Sequence, residues 1–161
     1  MSYRIRDFRP GDAPAVNTVA LAAFGQYAGD YTDWPTFAAN VGRTAALAEQ
    51  GELIVAELEG EVVGAVTYIG PHRPKSEFFE QAWPIVRMLV VAPSARGHGI
   101  GRALTEACVA RARRDGALEI ALHTSPIMVA ALRMYRDMGF VQLRTAPPVH
   151  GVPCDIYLMP L

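Results

Sequence analysis

Apolar and charged residues alternate along Tyr3-Arg4-Ile5-Arg6-Asp7-Phe8, the period of two of a half-buried strand. Pro10-Gly11-Asp12 then breaks the pattern and offers Asp12 as a helix cap. Beyond it the period lengthens: Val16, Val19, Ala20, Ala23 and Phe24 recur at helical spacing up to Gly25. A second helix is predicted from Asp33-Trp34-Pro35 to about Ala48, reached through an aromatic-rich connection. Leu53 to Leu58 and Val62 to Ile69 are β-rich runs separated by Glu59-Gly60-Glu61, a short hairpin turn in which Gly60 can take positive φ. Prolines and charges break Pro71 to Pro84, a surface connection, before a fourth strand at Ile85 to Val91.

After a glycine-rich stretch, Ala103, Leu104, Ala107, Cys108 and Arg111 lie near one helical face, and Asp115-Gly116 ends that helix. Leu118 to His123 reads as a fifth strand. A strand, helix and strand in this order form a right-handed crossover, so the fourth and fifth strands are expected to be parallel neighbours with the glycines at the carboxyl end of the fourth. Ile127 to Met138 is predicted as a helix closed by Gly139, with Phe140 packing back on it. Two last strands, Val141 to Thr145 and Cys154 to Met159, flank a loop with Pro147, Pro148, Gly151 and Pro153. The sum is an α/β (α+β) chain with a mixed sheet of about seven strands and helices on its faces.

With 161 residues, about half of them apolar, the chain can bury one full core and is too short for two ordinary domains, so 1–161 is read as a single domain. A formal charge of −1 gives no drive toward nucleic acid or anionic membrane, and Arg111, Arg113 and Arg114 read as a solvated helix end. Cys108 and Cys154 have no neighbours at metal-ligand spacing, so neither a disulfide framework nor a metal site is expected. Met1 to Arg6 lacks the apolar stretch of a signal peptide, and no run of about 18 uncharged apolar residues occurs. The expectation is a soluble cytoplasmic protein.

The candidate chemistry lies in Arg96-Gly97-His98-Gly99-Ile100-Gly101-Arg102, between the fourth strand and the next helix. Alternating glycines let the backbone approach a bulky ligand, and the helix adds free N–H groups and the positive end of its dipole. A nucleoside-triphosphate loop would end in Gly-Lys-Ser or Gly-Lys-Thr; here Gly101 is followed by Arg102-Ala103. A dinucleotide fingerprint needs a small residue three positions after its second glycine. Counting from Gly97 and Gly99 that position holds Arg102, and from Gly99 and Gly101 it holds Leu104.

What remains is Arg-x-x-Gly-x-Gly (Arg96, Gly99, Gly101), after a strand ending Met88-Leu89-Val90-Val91-Ala92-Pro93. With it stands Ala131-Leu132-Arg133-Met134-Tyr135-Arg136-Asp137-Met138-Gly139-Phe140, ending Tyr-x-x-x-Gly-Phe. Both motifs in this order, with matching strand order and helix spacing, resemble the GNAT superfamily of N-acetyltransferases. The resemblance implies a mostly antiparallel seven-stranded sheet with about four helices, its parallel fourth and fifth strands splayed at an acetyl-CoA site.

It further implies acetyl-CoA as cosubstrate, its pyrophosphate held by the backbone N–H groups of Gly97, His98, Gly99, Ile100, Gly101 and Arg102, with side-chain contacts from Arg96 and Arg102. Leu89, Val90 and Val91 would pair with the pantetheine through their main chain, and an N–H there could stabilise a developing oxyanion. Tyr135 looks like the family's general acid, protonating the departing thiolate. The acceptor would be a small-molecule or peptide amine. Many relatives carry a glutamate where this chain has Ile85 and an asparagine where it has Met128. The general base is therefore open between Glu80 and His123, and an alternative is a non-catalytic acyl-CoA-binding sensor or scaffold of the same fold. Acceptor specificity would come from Gly25 to Trp34 and Ala146 to Pro153, with Tyr27, Tyr31 and Trp34 as apolar walls and Asp30 and Asp33 available to a cationic amine. A homodimer is common in the family.

Overall fold

The structure is a computed structural model and describes residues 2–161. In chain order it comprises β1 (Tyr3–Asp7), α1 (Ala13–Gly25), α2 (Trp34–Val41), β2 (Glu52–Leu58), β3 (Glu61–Ile69), β4 (Ile85–Val91), α3 (Ile100–Arg114), β5 (Glu119–Thr124), α4 (Val129–Met138), β6 (Val141–Val149) and β7 (Val152–Pro160). The strands form one open seven-stranded sheet in the order β1-β2-β3-β4-β5-β7-β6. Every neighbouring pair is antiparallel except β4 and β5.

Alternation along the central strands sorts their side chains between two cores. On one face Ile54, Val66, Val86, Ile120 and Leu122 meet Leu104, Cys108 and Ala112 of α3 and Leu132 and Tyr135 of α4. On the other, Leu53, Val55, Ala65 and Val90 meet Val16, Val19 and Ala20 of α1 and Val41 of α2. Further along that second face Phe79 and Trp83, from the connection before β4, cover Ile85, Ala121 and Ile156. Helices on both faces bury the centre of the sheet on both sides, which explains the near-continuous apolar runs of β2, β3 and β5.

Four local expectations are corrected. Asp12 does not cap α1: its carboxylate accepts the N–H of Arg9 at 2.8 Å and pairs with Arg6. The second helix ends at Val41, and Thr44–Glu49 winds instead as a 3-10 turn that places Thr44, Ala45 and Leu47 inward. The proline-containing loop is shorter than expected, because β6 runs through Pro147 and Pro148 to Val149 and leaves only a tight turn at His150-Gly151. At the end of α3, Arg111 and Arg114 are not merely solvated. Both bond Glu52, at 2.9 and 2.7 Å, and Arg111 also pairs with Asp7, tying the helix to β1 and β2.

Two irregularities shape the centre of the sheet. Between β4 and β5 only Ile85 and Ala121 are in register, so the strands separate beyond that point. Against β3, the pairs Ala65–Val90 and Thr67–Arg87 leave Met88 and Leu89 opposite Val66 alone, a β-bulge in which Met88 takes φ +54°. A bulge bends its strand and re-aims its side chains.

Candidate active site

The glycine loop lies where the crossover expectation put it, beyond the carboxyl end of β4. Gly97 and Gly99 adopt φ of +84° and +76°, a region that costs other residues strain, and Gly99 is the N-cap of α3. The first helical bond is Ala103 N–H to the carbonyl of Gly99 at 3.0 Å, so the N–H groups of Ile100, Gly101 and Arg102 point forward without an i−4 partner. A Cβ built on Gly97 would meet nothing within 4 Å, so the loop opens onto free space.

That space is a cavity of about 410 Å³ lined by Leu89, Val90 and Val91, by Arg96 to Arg102 except His98, and by Met128, Ala130, Ala131 and Met134 at α4. Gln26 and Tyr27 close its other side. Arg96 is held at this rim by a 2.9 Å hydrogen bond to Gln26, while Arg102 is engaged by Glu106. Ala92 N–H donates to the carbonyl of Val63 at 2.8 Å, and alternation therefore turns the N–H and C=O of Val91 away from β3, toward the gap beside β5. Unpaired strand backbone, a flat apolar wall on α4 and a helix N-terminus at one end suit an extended amide-bearing chain that terminates in a pyrophosphate.

Tyr135 is buried on α4, its ring edge-on to Phe140, and does not itself line this cavity, although Ala131 and Met134 beside it do. Burial, with a smaller contribution from Cys108, pushes its phenol well above the ordinary value, so it stays protonated at physiological pH. Met128 contributes a thioether to the cavity wall where an amide would have offered a hydrogen bond.

A second cavity, about 450 Å³, opens on the α1/α2 face and is lined by Phe37, Asn40, Val41, Arg43, Thr44, Ala46, Leu47, Gln50, Arg87, Met88, Val149 and His150. Phe37 is fixed by Tyr31, stacked at 4.4 Å, and by Trp34 at 5.9 Å, so these two predicted wall residues act one layer behind the wall. Tyr27 belongs to the first cavity, and neither Asp30 nor Asp33 lines either one. Thr32 N–H donates to the carbonyl of His150 at 2.8 Å, which fastens the α1–α2 connection to the β6–β7 turn.

Neither base candidate lines a cavity. Glu80 is exposed on the connection before β4. His123 is exposed on β5 with one side of its ring against Phe78 and Phe79, at ring distances of 5.3 and 5.9 Å; partial desolvation by these rings, aided by the charge of Arg87, lowers its pKa. Ile85 is buried and packs in the core beneath Phe79 and Trp83. Sequence reasoning missed Phe37, Arg87 and His150. The histidine beside Gly151 at the tip of the last hairpin was the available signal for one of them.

The profile of the Acetyltransferase (GNAT) family matches residues 15–140, which include both the loop and α4. The chain belongs to this family. It is 30% identical over 145 residues, 87% of its length and 81% of the relative's, to the L-methionine sulfoximine/L-methionine sulfone acetyltransferase of Pseudomonas paraeruginosa. Over 59 residues it is 37% identical to N-alpha-acetyltransferase 30 of Saccharomyces cerevisiae, a match that spans 37% of this chain and about a third of that relative's length. The fold matches that of yncA from Salmonella typhimurium, solved with its cofactor acetyl-CoA, with a TM-score of 0.72 and 19% identity over 100% of this chain and 95% of that one. The chain is thus a member of a family that transfers acetyl groups from acetyl-CoA, and the expected sheet is the one observed.

Proposed function

We propose that the protein transfers the acetyl group of acetyl-CoA to a primary amine held in the second cavity. The observation that carries this reading is the bulge in β4: Leu89 lines the first cavity and its neighbour Met88 the second, so one peptide stretch borders both compartments.

Acetyl-CoA supplies an activated thioester carbonyl. The amides at the helix N-terminus, Gly99 to Arg102, hold the pyrophosphate independently of side-chain identity. Main-chain groups of Leu89 to Val91 orient the pantetheine, and an N–H there donates to the carbonyl oxygen as negative charge develops. Tyr135 stands behind the wall made by Ala131 and Met134, and its hydroxyl must reach through that wall to give its proton to the leaving sulfur while the C–S bond breaks and the N–C bond forms. The attacking amine must shed a proton, and His150 is the imidazole lining the second cavity, which favours it over Glu80 and His123 as acceptor of that proton.

The test is release of free thiol from acetyl-CoA against a panel of small amines and peptide N-termini, with acetylated product followed by mass spectrometry. Acceptor-dependent thiol release supports the reading. Tight acetyl-CoA binding with no release across the panel would instead leave a binding module.

A further inference from the structure

Arg87 is half-buried on β4, faces the second cavity, and has no hydrogen bond or ion pair among the described residues. The other half-buried arginines are treated differently: Arg6 is held by Asp12 and Glu57, and Arg111 by Asp7 and Glu52. A guanidinium keeps its charge even where burial lowers its pKa, and an uncompensated charge removed from water is costly. Thr67, directly across the strand pair from Arg87, keeps a buried hydroxyl that has no hydrogen-bond partner among the described residues. Arg43 adds a second guanidinium at the rim, and no aspartate or glutamate lines the cavity. Phe37, Val41, Leu47 and Met88 supply an apolar part of the wall, beside the neutral polar side chains of Asn40, Thr44 and Gln50 and the imidazole of His150.

We propose that the acceptor is an amine that also carries a carboxylate, an α-amino acid with an apolar side chain, and that Arg87 binds this carboxylate. Resting on the acetyl-transfer reading, the inference names its substrate class. The planar fork of Arg87 presents parallel N–H donors to two carboxylate oxygens, the apolar wall takes the side chain, and the amine is left toward Met88 and the thioester compartment. A polyamine or other cationic acceptor would meet two like charges and no counter-ion.

Each amine is tested as the free acid and as its carboxamide, with leucine, methionine and phenylalanine as the series. In the wild-type protein kcat/KM for thiol release favours the acid by about 10- to 100-fold. Arg87→Gln brings that ratio to within about 3-fold of unity, mainly through KM, and Arg87→Lys restores part of it, since a point charge replaces the fork. Acetyl-CoA binding and the melting temperature report whether each variant is folded. Calorimetric titration of the N-acetylated acids and their carboxamides into wild-type protein gives the same ratio without turnover. Equal affinity for acid and carboxamide in the wild type, or an unchanged ratio in Arg87→Gln, overturns the anion site. No thiol release with any acceptor overturns acetyl transfer instead, and the calorimetric ratio then still decides on the carboxylate.

Discussion

Tyr135 and Phe140 are joined twice: Phe140 N–H donates to the carbonyl of Tyr135 at 3.0 Å, and their rings meet edge-on with centroids 5.7 Å apart. Gly139 makes this closure feasible by taking φ +111° at the end of α4. The motif thus orients the phenol through the helix end as well as through the core.

Replacing Tyr135 by Phe removes only the hydroxyl and keeps the ring contact with Phe140. Turnover should fall by about 10- to 1000-fold with acetyl-CoA affinity nearly unchanged. Steady-state kinetics and calorimetry on one preparation separate the two quantities. Wild-type kcat in the variant would remove Tyr135 from the acid role.

At Gly99 the constraint is in the backbone, since a Cβ would meet nothing nearer than the Tyr3 hydroxyl at 3.6 Å. Gly99→Val forces a β-branched residue to φ +76°, at a cost of about 1–3 kcal/mol, whereas Gly99→Asn tolerates the left-handed region better. The valine variant should melt several degrees lower than the asparagine variant and bind acetyl-CoA at least about 10-fold more weakly than wild type. Equal donor affinity in wild type and Gly99→Val would disconnect the loop from the pyrophosphate.

The geometry of the glycine loop and of the ends of α3 and α4 was legible because it is local. Gly97, Gly99 and Gly139 sit at positive φ, and the ends of α3 and α4 follow from short-range rules at Asp115-Gly116 and Gly139-Phe140. The acceptor side depends on register between distant strands. A strict period of two along β4 gives no warning that Met88 and Leu89 share one position opposite Val66, so the bulge and the aim of Met88 into the second cavity were invisible. Arg87 was unremarkable in sequence, because only the fold reveals that no carboxylate reaches it. Asp12 misled for a related reason: a helix start was correctly placed, but the carboxylate had a better partner in Arg6, six residues back on β1.

His150 should leave a kinetic signature that Glu80 and His123 do not. His150→Gln keeps a polar side chain against Phe37, whose ring centroid lies 5.2 Å from the imidazole. If His150 takes the amine proton, kcat falls by about 10²- to 10⁴-fold with acetyl-CoA affinity retained. Glu80→Gln, on an exposed side chain outside both cavities, should change kcat by less than about 2-fold. Wild-type kcat in His150→Gln would exclude it as the proton acceptor.

His123 predicts a stability effect whose sign is fixed. Its pKa is lowered from 6.5 toward about 4, chiefly because Phe78 and Phe79 partly desolvate the imidazolium and secondarily because Arg87 repels it, although one side of the ring stays open to solvent and moderates the effect. Above pH 6.5 the imidazole is neutral in both the folded and unfolded chain and contributes nothing to the pH dependence. Between pH 6.5 and 4 the unfolded chain takes up a proton that the folded one refuses, so stability is lost as pH falls through this window and the loss levels off below pH 4. Asp12, Glu52, Glu57 and Asp115, each held low by an arginine, also cost stability on acidification, but they do so equally in a variant that keeps them. The melting temperature of wild type should therefore drop further between pH 7 and pH 4.5 than that of His123→Gln. A drop of the same size in both chains would mean that His123 titrates alike in the folded and unfolded states, and the contact with Phe78 and Phe79 would then have no effect on its charge.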